Sequence, residues 1–208
     1  MQAQSSNRRR DDPEIRREKI LDEAIQIIGR RGYHGFTVQE LAQQCGLTNG
    51  GLLYHFGSKE QLLLAVLEER DRRETAMVIS IAGPAARQAG RSDSSLDAVL
   101  KLLRAIVERS TAEPELTRLD TVLQSEALDQ GHPAHGYFRA RETMVLDVFA
   151  KMVAPHVADA RCVALQIYAL LDGLQRRWLW ADRKFDIVAE WDRALARLLP
   201  LPKRPHRL

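Results

Sequence analysis

Residues 37–59 read TVQELAQQCGLTNGGLLYHFGSK, and this short stretch decides the fold. Val38, Leu41, Ala42 and Cys45 fall at i, i+3, i+4 and i+7, the spacing that gathers apolar side chains on one face of a short helix. Thr37 precedes them as an N-cap, and Glu40 three residues on completes a capping box. Gly46 follows the last periodic residue, where the chain must turn through a left-handed conformation that glycine adopts at little cost. Thr48 then caps a second short helix whose inner face carries Leu52 and Phe56. Two short helices across a glycine turn form a helix-turn-helix, and the second of them is the one that lies in the major groove of duplex DNA.

Working outward, Pro13 and Glu14 open a helix, since proline suits its first turn and a carboxylate its positive end. Ile15, Lys19 (by its aliphatic stem), Ile20, Ala24, Ile27 and Ile28 trace a face as far as Gly29, with Gly32 as the stop. Tyr33, Phe36 and Val38 are expected to fill the small core of this head. On the other side, Ser58 and Gln61 form a second capping box, and Leu62, Leu63, Val66 and Leu67 give the next helix an inner face. That helix turns strongly charged in EERDRRE (68–74) before Met77, Val78 and Ile81. It links the head to the rest of the chain until Gly83-Pro84 stops or kinks it.

Residues 85–95 read as a polar loop or a frayed helix end, and from Leu96 the pattern is helical almost to the end. Helices are expected over about 95–111, 115–129, 135–153, 159–181 and 187–199. The breaks fall at Glu113-Pro114, GHPAHG (131–136), Pro155 and 182–186, and strand-like alternation is absent, so the chain reads as all-α.

The stretch GLTNGGLLYHFGSKEQLLLAVL (46–67) resembles the recognition-helix signature of the TetR family of transcriptional regulators. There, a Gly-x-[Ser/Thr] turn leads into an aromatic cluster and a Ser-Lys-Glu start to a long fourth helix. The likeness covers about residues 14–67. It implies a three-helix DNA-binding head at 13–60, joined through a long helix to a helical ligand-binding and dimerisation domain at 61–200. A disordered basic arm at 1–12 and a flexible basic tail at 201–208 flank them. It further implies a homodimer that binds a pseudo-palindromic operator in double-stranded DNA, most often as a repressor, and that a small-molecule effector releases; activation stays open. The alternative is a small-molecule-binding or interaction protein that has lost DNA contact. The carboxylate-free strip between Glu40 and Glu60, in a chain with 28 Asp and Glu, argues for phosphate contact.

On the duplex, Thr48, Asn49, Gly50 and Gly51 lie nearest the base edges, and the Asn49 amide can pair bidentately with adenine. The glycines let the backbone approach the DNA. Tyr54 and His55 reach phosphates, Lys59 with its helix-start amides holds another, and Thr37 donates from the first helix. Asn49, Gly51 and Leu53 stand where many relatives carry Lys, Thr and Tyr, so two usual phosphate contacts are lost and Leu53 is left to touch a thymine methyl or pack.

In the second domain the resemblance implies a ligand pocket, with Tyr137, Phe138, Met144, Phe149, Tyr168, Leu171, Asp172, Arg176 and Trp178 as its candidate lining. Between Cys162 and Leu171 only Gln166 is clearly polar, and a helix apolar nearly all round must be covered on more than one side. Either it is the central helix of a monomer, or a second copy covers it. A four-helix dimer interface, as the resemblance implies, would use Cys162, Leu165, Ala169, Trp191, Leu195 and Leu198.

The remaining features exclude classes. The 208 residues carry a net charge of +3, and up to Glu60 nine Lys/Arg nearly balance eight Asp/Glu, so placement says more about nucleic acid than the sum does. No run of about 18 apolar residues suggests a membrane span. Arg8–Arg10 are not followed by an apolar segment as in a signal peptide. Cys45 and Cys162 read as reduced core residues of a cytoplasmic protein. His132 and His135 read as parts of a turn, because a metal would want three or four ligands. No phosphate loop, nucleophile elbow or HExxH pattern appears, so neither an enzyme nor a cofactor is expected.

Overall fold

A computed structural model describes residues 13–83 and 95–199. The basic arm, the expected stop at Pro84 with most of the loop behind it, and the basic tail lie outside the described residues. Among those residues there are nine helices and no strand: α1 Pro13–Gly35, α2 Val38–Gln44, α3 Asn49–Phe56, α4 Lys59–Ala82, α5 Leu96–Ala112, α6 Pro114–Glu126, α7 His135–Val153, α8 Ala160–Trp180 and α9 Ile187–Leu198. The boundaries reflect local chemistry. Thr37, Thr48, Ser58, Ser95, Asp159 and Asp186 each accept a hydrogen bond from the backbone N–H three residues on. Pro114 opens α6.

α1 breaks at the expected Gly32, but its extent and its buried stripe differ. It runs past Gly29 and breaks at Gly32, whose φ of 72° and ψ of 177° are non-helical, before a last turn to Gly35. The buried stripe is Ile20, Leu21, Ala24, Ile25, Ile27 and Ile28, whereas Ile15 and Lys19 are exposed. The reason for the break lies across the fold. Glu126, at the end of α6, accepts from the Tyr33 N–H freed by the kink at 2.7 Å. Its carboxylate also occupies the space beside Gly32, where a Cβ would lie 2.0 Å from Oε1.

Two apolar cores hold the chain. The first joins α1–α4, through Phe36, Leu41, Leu52, Phe56, Leu62 and Leu63, to Leu116, Leu119 and Leu123 of α6. The head is therefore built against α6. The second core is closed by α5, α7, α8 and α9 around Val99, Leu103, Phe149, Ile167, Trp178 and Trp191. Here the α9 expectation is corrected. Its apolar stripe turns inward, with Trp191 1% and Leu195 3% exposed, because it packs on α5 and α8 of its own chain. Cys162 is corrected too: it is a free, exposed thiol, while Cys45 is free and half-buried against the head core.

Candidate DNA interface and ligand cavity

The head presents α3 outward. Thr37 Oγ1 accepts from Glu40 N and Thr48 Oγ1 from Gly51 N, each at 3.1 Å. Glu40 does not reach back; its carboxylate is taken by Arg31 at 2.9 Å. Gly46 makes the turn at φ 65°, and Leu52 and Phe56 anchor α3 inward. Asn49, Gly50 and Tyr54 form the open face, with Tyr54 89% exposed. Gly51, Leu53 and His55 are half-buried beside it, Thr37 is exposed, and the His55 ring meets Tyr54 edge-on at 5.8 Å. Around a Cβ built at Gly50 nothing lies within 4 Å, which leaves room for close approach of a duplex.

Lys59 has partners within the head that its sequence position did not reveal. Its ammonium donates to the Phe36 carbonyl at 2.8 Å and sits 4.6 Å and 4.5 Å from the centroids of Tyr33 and Phe36. Burial lowers its pKa, against the pull of Glu60 and Glu126. The half-buried ammonium is thus steadied against the head by a carbonyl and two rings, with two of its three N–H donors left over.

Beyond the head, the charged run of α4 proves to be a buried ion network. Arg70 is fully buried and pairs with Asp71 at 2.5 Å, with Glu74 at 3.3 Å and with Asp120 of α6. Arg109 of α5 reaches Glu74 at 2.7 Å, and Arg141 of α7 reaches Glu74 at 2.6 Å and Asp71 at 3.1 Å. Tyr137 donates to Asp71, and Arg109 to Thr117 at 3.3 Å. Burial alone would raise the Glu74 carboxyl, but the guanidiniums of Arg70, Arg109 and Arg141 outweigh it and hold it at about 2. Four helices are thus tied at one point on α4, a single helix whose first turns lie in the head core. The sequence offered one clue to this, the i,i+4 spacing of Arg70 and Glu74.

Two adjoining cavities open beside the network. An apolar one of about 300 Å³ lies between α4, α5, α7 and α8, and a more polar one of about 350 Å³ lies between α6, α7 and α8. Met144, Phe149 and Leu171 line the first, Phe138 and Arg176 the second, and Tyr168 and Asp172 stand on the boundary of both. Tyr137 and Trp178 line neither: one is bound to Asp71 and the other lies in the second core. Lining residues that periodicity did not reveal include Val78, Ile106, Gln124, Val148 and Gln175. The first cavity's wall also contains Asp71, Glu74, Arg109, Asp120 and Arg141, the network itself.

The loop histidines are spent on the turn. Buried His132 accepts from Ala134 N at 3.1 Å, and His135 Nδ1 donates to the Ala127 carbonyl at 2.8 Å. Burial lowers the His132 pKa, which Glu126 partly opposes. No helix of the described residues is long and apolar enough to cross a membrane.

A helix-turn-helix head, carried by a helix that also walls a cavity in a helical bundle, is the architecture of a DNA-binding regulator. Residues 20–66 match the family model described as bacterial regulatory proteins, tetR family. The HTH-type transcriptional regulator BetI of Burkholderia thailandensis is 30% identical over 187 residues, covering 85% of this chain and 88% of the relative. Among solved structures, the NalD repressor of the Pseudomonas aeruginosa MexAB-OprM efflux pump superposes with a TM-score of 0.64 at 21% identity, over 90% of this chain and 96% of that one. AibR in complex with isovaleryl coenzyme A and operator DNA superposes with a TM-score of 0.67 at 21% identity, over 89% and 98%. The chain belongs to the TetR family and is a DNA-binding transcriptional regulator.

Proposed function

We propose that this chain acts in the cytoplasm as a homodimeric repressor of a pseudo-palindromic operator and is released by a small molecule bound beside the ion network. One observation carries the reading: Asp71 and Glu74 of α4 are at once wall of the cavity and anchor points of the network holding α4 to α5, α6 and α7. A molecule entering the cavity competes with those ties and re-aims the helix on which the head is mounted. Heads spaced for successive major grooves, about 34–36 Å apart, are then displaced. A coupling of about 1–3 kcal/mol is enough to alter operator affinity roughly 5- to 150-fold. The AibR complex with an acyl-coenzyme A and operator DNA supports the general scheme.

Dimerisation is assigned to the outer face of α8, where Cys162, Leu165 and Ala169 are exposed at i, i+3 and i+7 and Leu165 is 54% open. Base reading falls to Asn49 with close backbone approach at Gly50 and Gly51, and phosphate contact to Tyr54, His55 and Thr37. In this reading its partners are DNA, a second copy and an effector.

The test is a fluorescence-anisotropy titration against DNA upstream of the chain's own gene, at two salt concentrations, with sedimentation to read the oligomer. Salt-sensitive binding by a dimer that Asn49→Ala and Tyr54→Ala each weaken tenfold or more is the expected result. Binding indifferent to both substitutions would remove α3 as the reader.

A further inference from the structure

In the wall of the apolar cavity the charges do not cancel. Arg70, Arg109 and Arg141 are matched by Asp71, Glu74 and Asp120, and every one of these six takes part in an ion pair. Asp172 of α8 is left over. It faces both cavities, yet among the described residues it accepts no hydrogen bond and forms no ion pair. The two cations that influence it are Arg141, committed to Asp71 and Glu74, and Arg176, which is exposed at the polar cavity. Burial first and the Asp120 charge second push its carboxyl up to about 7, with Arg141 and Arg176 only partly offsetting them. Beside Asp172 stands the ring of Tyr168, and beyond them the apolar cavity is walled by Val78, Ile79, Val145 and Val148.

Building on the ligand-release reading, we infer that the effector is a hydrophobic cation, an organic amine or quaternary ammonium whose charge rests on Asp172 and the Tyr168 face. Its apolar body fills the space between α4 and α7. Three physical reasons favour this class. A cation supplies the counter-charge that the half-buried Asp172 carboxylate lacks. The half-buried Tyr168 ring adds cation–π attraction. A carboxylate ligand would instead meet Asp172 as a like charge while the inner guanidiniums are already spent, and a neutral one would gain nothing from the ionised form of Asp172. A cavity of about 300 Å³ limits the molecule to a small one.

The test uses the full-length protein and four probes: decyltrimethylammonium, decanol, decanoate and decanoyl-coenzyme A. The first three share a tail and differ in head charge; the fourth brings phosphates that could seek Arg139 and Arg176 at the polar cavity. Calorimetry reads binding, and anisotropy with the operator fragment reads release. Decyltrimethylammonium is expected to bind at least tenfold tighter than decanol or decanoate. Asp172→Asn, checked by circular dichroism for its helix content, erases that preference without weakening decanol, and Asp172→Glu retains it. The inference is overturned if decanoate or decanoyl-coenzyme A binds more tightly than the cation, if no probe binds, or if Asp172→Asn binds the cation as wild type does. Binding at Asp172 that leaves operator affinity unchanged sinks the release reading and leaves the inference standing. Operator release by the anionic probes alone does the reverse.

Discussion

Replacing Arg70 by Met should be among the most damaging single changes available to this protein. The guanidinium is fully buried, and it is the only cation paired with Asp120 among the described residues. Its removal leaves three carboxylates, Asp71, Glu74 and Asp120, facing two guanidiniums. Glu74 keeps Arg109 and Arg141, and Asp71 keeps Arg141 and Tyr137, so the loss falls on Asp120, which is 6% exposed. Breaking one side of a buried pair costs about 3–5 kcal/mol, a third or more of the roughly 5–15 kcal/mol that holds a typical domain. Asp120→Leu should also cost stability, because three buried guanidiniums would then share Asp71 and Glu74 alone. The double variant Arg70→Met/Asp120→Leu leaves two guanidiniums against two carboxylates, and its cost should fall below either single one. The assay is urea unfolding at fixed protein concentration, monitored by the fluorescence of Trp178 and Trp191 in the second core. The coupling energy should exceed about 2 kcal/mol. Single costs below about 1 kcal/mol, or effects that simply add, would show that water or rearrangement satisfies Asp120 and that the network does not tie α4 to α6.

The geometry yields three further expected outcomes. Lys59→Met should lower head stability by about 1–3 kcal/mol, because the Phe36 carbonyl loses its charged donor and two rings lose a cation; a variant that unfolds like wild type but binds operator weakly would assign Lys59 to the DNA surface. Gly32→Ala places a side chain at φ 72° against the Glu126 carboxylate, costing about 1–3 kcal/mol. Hydrogen exchange at the Tyr33 amide should then rise, and unchanged protection would refute the contact. The Asp172 carboxyl, at about 7 in the fold, holds a proton that the unfolded chain releases near 4. Its contribution to stability is therefore complete below pH 4 and is lost as the pH climbs through 7. Asp172→Asn should be more stable than wild type at pH 8, by at most about 4 kcal/mol, and much closer to it at pH 5. Urea midpoints that shift in parallel at both pH values would exclude a raised carboxyl.

What the sequence revealed, and what it hid, divides by the range of the forces involved. Thr37, Thr48, Ser58 and Asp186 bond to amides three residues away, so caps and helix limits could be read from neighbouring letters. The α3 face was legible for the same reason: Leu52 and Phe56 share one side of a short helix. The Lys59 bond was hidden because its partner, the Phe36 carbonyl, sits 23 positions away. The run EERDRRE reads as a solvated face unless Asp120 and Arg141 are known to converge on it. The α9 stripe was genuinely apolar, but periodicity says that a face is buried and not against which chain. Leu165 and Trp191 look alike in sequence; one ends half-open and the other sealed.

The shared core between α1 and α6 bears on how such proteins can be recombined. A chimera cut at residue 60, grafting this DNA-reading end onto a foreign bundle, would strip Leu116, Leu119 and Leu123 from beneath Ile20–Ile28 and remove the carboxylate that receives the Tyr33 amide. The graft would succeed only where the recipient presents a matching α6, or where that helix travels with the graft. The portable unit is thus discontinuous along the chain, residues 13–67 together with 114–134, and a library of swapped specificities for this scaffold would have to be spliced at both seams.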